Sequence, residues 1–277
     1  MSIEGPISVN YHLYKPCNYQ CQFCFATFAD IEGSLDLAGQ HRLLRRLREA
    51  GCEKINFAGG EPTLYRGLGE LLHAARDLGF VTAIITNGAR LAPLLNSHSD
   101  DLDWVGLSVD SADEEVQASL GRGRGEHVAT SRGLALAVRD AGIKLKLNTV
   151  VTARTWQEDM RPLIRDLRPH RWKVFQVLPV GGQNDNKVEP LLISPAQFAT
   201  FVARHADLPA SLAPVVEDNA AMTGSYAMID PLGRFFSNVA GHHTYSRPIL
   251  DVGVATALQE SRFMPHRLVR RGGVYAW

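Results

Sequence analysis

The chain has 277 residues, of which 45% are hydrophobic, so it can bury one large core. Basic and acidic residues balance at 29 each, and a zero formal net charge argues against direct, non-specific nucleic-acid binding. The four cysteines do not form a disulfide framework, the N-terminus lacks a signal peptide pattern, and no apolar run approaches the roughly 18 residues of a membrane span. We therefore expect a cytoplasmic protein without membrane attachment.

Strand-like and helix-like segments alternate along the first two thirds of the chain. Strands are predicted at 8–14, 54–58, 81–86, 104–109, 144–151 and 172–178. Helices are predicted at 37–50, 68–78, 126–141 and 157–167, and glycines that suit a C-cap follow the first three. Alternation of this kind predicts an α/β protein with a parallel sheet and right-handed crossovers. We expect a partial, TIM-like barrel of six βα units over residues 1–189.

Residues 190–277 have a different pattern, and we interpret them as a C-terminal extension of the same structural domain. A helix is predicted at 194–205. Strands at 226–230 and 234–237 flank Pro-Leu-Gly, which predicts a hairpin because the glycine can form the turn.

Polar side chains occupy alternate positions of several predicted strands, whereas strands covered on both faces are normally apolar throughout. The pairs are Asn10 and His12, Lys54 and Asn56, Ser108 and Asp110, Lys146 and Asn148, and Arg171 and Lys173. We expect these pairs to line the barrel interior, where four basic side chains predict a phosphate-bearing ligand. Any one of them alone could be a solvated strand end. The chain has no phosphate-binding Gly-x4-Gly-Lys-Ser/Thr loop, so side chains would hold the phosphates.

Three cysteines follow the first predicted strand at the spacing Cys-x3-Cys-x2-Cys, namely Cys17, Cys21 and Cys24. Three thiolates can bind three irons of a [4Fe–4S] cluster and leave the fourth iron open for chemistry. Two alternatives are a cysteine stripe packed on one helix face and a zinc site completed by His12 or Cys52. The preceding Pro16 favours a loop over a helix.

The second predicted strand runs directly into Gly59-Gly60-Glu61-Pro62. Glycines at that place let a small ligand approach the backbone, and Glu61 can accept a hydrogen bond from an ammonium group. Active sites of βα barrels lie at the carboxyl ends of their strands.

The cysteine motif together with Gly-Gly-Glu-Pro resembles the radical S-adenosylmethionine (SAM) superfamily. Runs such as Arg171-Trp-Lys-Val-Phe-Gln, Ile249-Leu-Asp-Val-Gly-Val and Arg271-Gly-Gly-x-Tyr resemble the viperin family, from about Ser8 to Trp277. The resemblance implies a [4Fe–4S] cluster, SAM as cofactor and an external one-electron reductant. Animal members have an N-terminal amphipathic helix and a longer C-terminus, so we expect a microbial member with no membrane partner.

The resemblance also implies roles for individual residues. Those expected to hold SAM are Phe23, Gly59, Gly60, Glu61, Ser108 and Arg122, with Asn87 beside them. Those expected to bind the nucleoside triphosphate are Lys54, Lys146, Arg171 and Lys173 at the phosphates, Asn148 at the ribose, and Asn10 and Tyr226 near the base or sugar. Lys146 and Tyr226 are also the expected catalytic residues, although half-buried packing is the alternative for Tyr226.

The activity implied is dehydration of a ribonucleoside triphosphate, with CTP preferred over UTP or GTP. A 5′-deoxyadenosyl radical would take the 4′ hydrogen of the ribose, the 3′ hydroxyl would leave, and the 3′-deoxy-3′,4′-didehydro product would terminate viral chains in antiviral defence. The alternative is a radical SAM enzyme acting on a peptide or a cofactor precursor. Many such enzymes carry extra clusters on C-terminal cysteines, and no cysteine follows Cys52 here.

Overall fold

The computed structural model describes residues 5–275, so Trp277 at the end of the resemblance lies outside it. Six parallel strands pair in chain order: β1 (Ser8–Tyr14), β2 (Lys54–Gly59), β3 (Val81–Thr86), β4 (Trp104–Ser108), β5 (Lys144–Val151) and β6 (Arg171–Gln176). The six predicted strands are thereby confirmed to within two residues at each end. This mostly parallel α/β sheet is a confirmed prediction, and its curvature into a partial six-unit barrel stays a prediction.

The C-terminal extension adds strands to both edges of this sheet. β7 (Pro214–Glu217) pairs in parallel with β6, and sequence reasoning missed it. On the other side β8 (Met228–Ile229) pairs in parallel with β1, and β9 (Arg234–Ser237) and β10 (Thr244–Pro248) continue antiparallel. β8 and β9 form the predicted hairpin, whose turn contains Gly233 at φ 75°. The division at residue 189 stays a prediction.

Helices cross between the strands. Those up to residue 204 are α1 (Leu37–Glu49), α2 (Leu68–Asp77), α3 (Leu91–His98), α4 (Glu114–Ser119), α5 (His127–Asp140), α6 (Arg161–Leu167) and α7 (Pro195–Arg204). Short helices follow: α8 (Asn219–Met222), α9 (Ile249–Val252), α10 (Val254–Glu260) and α11 (Pro265–Arg270). The predicted C-cap glycines Gly51, Gly79 and Gly142 have φ values of 92°, 80° and 72°, a left-handed conformation that costs glycine little. Among the described residues, no helix is long and apolar enough to cross a membrane.

The core lies between the helices and the apolar face of the sheet. Ile55, Phe57, Leu145 and Leu147 are buried there, each at 2% exposure or less. Burial of each such side chain contributes about 1.5–3 kcal/mol, so the register of the strands is fixed by this face. The polar residues at alternate positions are consequently forced to the opposite face of the sheet.

Candidate active site

A cavity of about 550 Å³ runs along the polar face of the sheet, from Lys54 at the start of β2 to Gly60 just past its end. Every residue that the sequence predicts for the site lines this cavity. The pairing explains part of the arrangement, since Lys146 lies opposite Arg171 and Asn148 lies between Ser108 and Lys173 on neighbouring strands. The structure thus brings the predicted residues together, while their individual roles stay predictions.

The cysteines lie on a loop at one end of the cavity, so the alternative of a helical cysteine stripe is wrong. Two backbone hydrogen bonds fasten the loop to the residues after α4, from Gln20 to Gly121 (3.1 Å) and from Gln22 to Leu120 (3.0 Å). A Cβ on Gly121 would lie 2.2 Å from the Gln20 carbonyl oxygen. The glycine is therefore needed for this approach, a role that the motif alone did not reveal.

Cluster binding fits the thiols of this loop. Burial raises the pKa of Cys21 to about 12 against the opposing effect of Arg122, and burial also raises the pKa of Cys17 and Cys24. Bound iron deprotonates a thiol outright, so cluster assembly must release protons here.

A mononuclear site has less support. No three histidine, cysteine or acidic side chains among residues 5–275 are placed to bind one metal ion, whereas the thiolates of a cluster each bind a different iron. Cys52 lies apart from the loop cysteines, buried, and its thiol donates to the carbonyl groups of Ile7 and Lys54. His12 packs edge-on against Phe25.

The paired glycines after β2 serve the chain's own backbone. A Cβ on Gly59 would lie 2.3 Å from the Tyr14 carbonyl oxygen, and one on Gly60 would lie 2.2 Å from that of Lys15. The expectation that they let a ligand approach the backbone stays a prediction. Because these glycines have no side chain, the end of β2 can pack against the segment that leads into the cysteine loop. Both glycines still line the cavity.

Glu61 is held by hydrogen bonds within the chain, and its predicted contact with an ammonium group stays a prediction. Its carboxylate is buried and accepts four hydrogen bonds, from the Thr63 amide and hydroxyl, the Thr86 hydroxyl and the Asn87 amide, at 2.6–3.0 Å. A carboxylate offers about four lone-pair positions, so these donors use most of its capacity. Glu61 fixes the end of β3 to the end of β2, and it holds Asn87, whose side-chain amide donates to Asn18 (2.9 Å) beside the cysteines.

A buried ion pair stands beside the cysteine loop. The Arg122 guanidinium bonds the Asp110 carboxylate and lies 5.8 Å from the centroid of the Phe23 ring. Burial alone would lower the pKa of Arg122, but Asp110 and the nearby thiols raise it, so the cation persists. The predicted SAM residues Phe23 and Arg122 are therefore in contact.

The opposite end of the cavity is basic, but its lysines are less charged than the sequence suggests. Burial lowers the pKa of Lys54 to about 7 and that of Lys146 well below its ordinary value, and repulsion from Arg171 and Lys173 adds to both. Both ammonium groups lie over the Trp104 and Tyr275 rings, and Lys54 also donates to the Tyr275 hydroxyl (3.1 Å). A bound polyanion would restore their charge, because a nearby anion favours the protonated form.

Arg171 also faces this end. Its guanidinium lies 4.0 Å from the centroid of the Tyr275 ring and donates to the Gly272 carbonyl. Within the described part of the chain its buried Nε has no hydrogen-bond partner. Buried donors are normally satisfied, so this nitrogen fits a ligand acceptor.

Sequence reasoning missed one acidic residue in this region, Glu217. Its carboxylate lies 2.6 Å from the Lys173 amino group and 3.2 Å from the Arg271 guanidinium, and it accepts a hydrogen bond from Tyr226. Tyr226 is thus held by specific polar contacts, not by packing alone. The only sequence signal for Glu217 was its position as an acidic residue directly after the apolar residues Pro-Val-Val. That signal was not used, because β7 itself was not predicted.

Comparisons with known proteins agree with this geometry. The family model of the radical SAM superfamily matches residues 11–189. A protein from Flammeovirga pacifica named S-adenosylmethionine-dependent nucleotide dehydratase is 40% identical, over 98% of this chain and 96% of that protein. A protein of the same name from Lacinutrix mariniflava is 41% identical over 98% of this chain, which spans 58% of that relative's length. The dehydratase RSAD2 of Oncorhynchus mykiss is 38% identical over 98% of this chain and 81% of that protein.

Solved structures show the same fold at low sequence identity. Streptococcus suis SuiB bound to S-adenosylmethionine superposes with a TM-score of 0.63 at 19% identity, over 84% of this chain and 60% of that one. Coproporphyrinogen III oxidase (HemN) from Escherichia coli superposes with a TM-score of 0.57 at 13% identity, over 98% and 75%. These similarities show a radical SAM α/β fold and nothing about substrate.

Proposed function

This chain belongs to the viperin-like family of S-adenosylmethionine-dependent nucleotide dehydratases within the radical SAM superfamily, and we propose that it dehydrates the ribose of a nucleoside triphosphate. Its cofactors are a [4Fe–4S] cluster and SAM. One observation carries the proposal: a single cavity joins a loop with three thiols at one end to a set of buried basic side chains at the other. Radical chemistry and polyphosphate binding can therefore act on one molecule.

We assign the cysteine end to the cofactors. Cys17, Cys21 and Cys24 hold the cluster, which together with SAM supplies a 5′-deoxyadenosyl radical able to take hydrogen from a sugar carbon. Phe23 offers an aromatic surface, and Arg122 places a permanent positive charge beside the thiolates. The remaining SAM contacts come from Gly59, Gly60, Glu61, Ser108 and Asn87, and Glu61 also holds the Asn87 amide.

We assign the basic end to the nucleotide. Lys54, Lys146, Arg171 and Lys173 hold the triphosphate, since protonated lysine and guanidinium groups form the strongest hydrogen bonds with phosphate oxygens. Asn148 lies beside Lys173 on the neighbouring strand, next to Ser108, at the middle of the cavity where the ribose would lie. Asn10 and Tyr226 line the wall next to it.

Two residues have proposed catalytic parts. Burial and the Glu217 charge raise the pKa of Tyr226 well above its ordinary value, so its hydroxyl stays protonated; it donates to Glu217, and its oxygen can accept a hydrogen bond from a ribose hydroxyl. Lys146 neutralises the phosphates once their negative charge has restored its own proton. An external one-electron reductant completes the reaction. We further propose CTP as the preferred substrate over UTP and GTP, and an antiviral use of the chain-terminating product.

The test is turnover by the reduced, cluster-loaded enzyme with SAM and each ribonucleoside triphosphate in turn. We expect 5′-deoxyadenosine and a nucleotide lighter by one water to form in equal amounts, most rapidly with CTP. Cys21→Ala is the matched negative control. Failure of every triphosphate to lose water, in enzyme that still cleaves SAM slowly by itself, would refute the proposal.

The alternative, a radical SAM enzyme acting on a peptide or a cofactor precursor, would need a different explanation for the basic end. SuiB has also been solved bound to the precursor peptide SuiA, but its 16% identity carries the fold alone. Iron content well above four atoms per chain would favour that alternative.

A further inference from the structure

Glu217 is an acidic residue beside the basic end of the cavity, where an anion is expected to bind. It is the last residue of β7, where the pairing with β6 sets it opposite Phe175. Cross-strand partners share one face of a sheet, so Glu217 faces the same way as Phe175 and Lys173, toward the basic end. A carboxylate there repels phosphate, so it is not expected to contact the nucleotide.

The carboxylate is fully buried, at 0% exposure, and every partner that it holds lines the cavity. One oxygen contacts the Lys173 amino group (2.6 Å) and the Arg271 guanidinium (3.2 Å), and the other accepts the Tyr226 hydroxyl. Lys173 in turn donates to the Tyr226 oxygen (2.5 Å), and the Arg271 guanidinium lies 3.6 Å from the Tyr226 ring centroid. Glu217 is the common partner of this network.

The ion pairs of the network set the protonation of its members when no ligand is bound. Burial raises the pKa of Glu217, but Lys173 and Arg271 lower it by more, so it remains a carboxylate. Burial lowers the pKa of Lys173 to about 8 even with Glu217 beside it. One anion thus stabilises two buried cations that would otherwise repel each other.

Building on the proposed function, we propose that Glu217 is a positioning residue, whose carboxylate fixes the Tyr226 oxygen beside the ribose by accepting its O–H in a hydrogen bond, and which competes with the substrate phosphates for Lys173 and Arg271. The three partners touch the cavity and Glu217 lies behind them. Its loss should therefore have opposite effects on binding and on chemistry. Polyphosphate should bind more tightly without the competing anion, while Tyr226 should be aimed less well at the ribose.

The experiment compares Glu217→Gln with wild type as cluster-loaded enzyme with SAM, using two readouts. Calorimetric titration with inorganic tripolyphosphate measures the cation site without any turnover, and we expect roughly tenfold tighter binding in the variant, equivalent to about 1.4 kcal/mol. The yield of dehydrated nucleotide per 5′-deoxyadenosine reports how well Tyr226 is positioned at the ribose, and we expect this yield to fall in the variant. Glu115→Gln, the same change at an exposed helix residue outside the cavity, should leave both unchanged.

Weaker tripolyphosphate binding, or an unchanged yield, would overturn the inference, since a merely structural residue would reduce binding and yield together. If Glu217→Gln does not fold, Glu217→Asp decides the matter, because it keeps the negative charge but shortens the side chain that holds Tyr226: the yield should fall while tripolyphosphate affinity stays within about twofold of wild type, and an unchanged yield refutes the inference. If wild type dehydrates no nucleotide yet Glu217→Gln binds tripolyphosphate more tightly, the proposed function and the positioning of Tyr226 for it fail, while the competition of Glu217 with phosphate stands.

Discussion

Replacing Lys54 with methionine should stabilise the cluster-free protein at neutral pH and change its dependence on pH. The Lys54 side chain is 1% exposed, and burial lowers its pKa from 10.5 to about 7. A shift of this size corresponds to about 5 kcal/mol at most, because one pKa unit is about 1.4 kcal/mol. Lys54→Met keeps the length of the side chain and removes this cost.

The sign follows from proton binding in the two states. Between pH 7 and 10.5 the unfolded chain binds a proton at Lys54 that the folded chain does not, so the wild type gains stability as pH rises through that window. Below pH 7 both states are protonated and the full cost remains. The advantage of Lys54→Met should therefore be largest near pH 7 and should shrink by up to about 1.4 kcal/mol per pH unit above it.

Urea unfolding of both proteins at pH 7, 8 and 9, under anaerobic conditions and without cluster, measures this difference. Titrating groups that do not interact with Lys54 cancel in the comparison, whereas the pKa of Lys146, which Lys54 lowers, should rise in the variant. A difference in unfolding free energy that is constant with pH would refute the reasoning, because Lys54 would then keep an ordinary pKa in the folded protein.

Three further predictions concern the two ends of the cavity. Lys146→Ala should weaken tripolyphosphate binding by about 1.5–3 kcal/mol in calorimetry, the contribution of a charged hydrogen bond, and unchanged affinity would mean that this β5 side chain does not reach the ligand. Cys21→Ala should lose the cluster in iron quantitation and visible absorption, whereas Cys52→Ala should keep it, and equal iron contents would contradict the ligand assignment. Gly60→Ala should cost about 1–3 kcal/mol of stability and lower cluster occupancy through overpacking. Its control Gly133→Ala, whose new Cβ meets nothing within 4 Å inside α5, should stabilise by about 0.5–1 kcal/mol.

The sequence predicts the six central strands well because each carries apolar residues at alternate positions and is bounded by turn residues. It also predicts which side chains face inward, since a period of two leaves Lys146 and Asn148 no other face once Leu145 and Leu147 are buried. β7 was missed because it has four residues and begins with proline. Its place in the sheet depends on pairing with β6, a contact that local pattern does not encode.

The charge states of the buried lysines and the contacts made by the C-terminal extension could not be predicted from the sequence either. The low pKa of Lys54 depends on burial, and two of its neighbours, Trp104 and Tyr275, lie far from it in the chain. The role of Glu61 depends on donors from β3 that reach its carboxylate only in the folded protein. Sequence pattern thus located the site, while long-range packing decided how each group works within it.

The most direct test of the central claim, that one cavity presents a nucleotide ribose to the radical formed at the cysteine end, is an isotope experiment. Reduced, cluster-loaded enzyme is given SAM and CTP deuterated at the 4′ position, and the 5′-deoxyadenosine is weighed by mass spectrometry. We predict one deuterium in the 5′-deoxyadenosine together with an equal amount of dehydrated nucleotide. Formation of 5′-deoxyadenosine without deuterium, with CTP recovered intact, would contradict the claim.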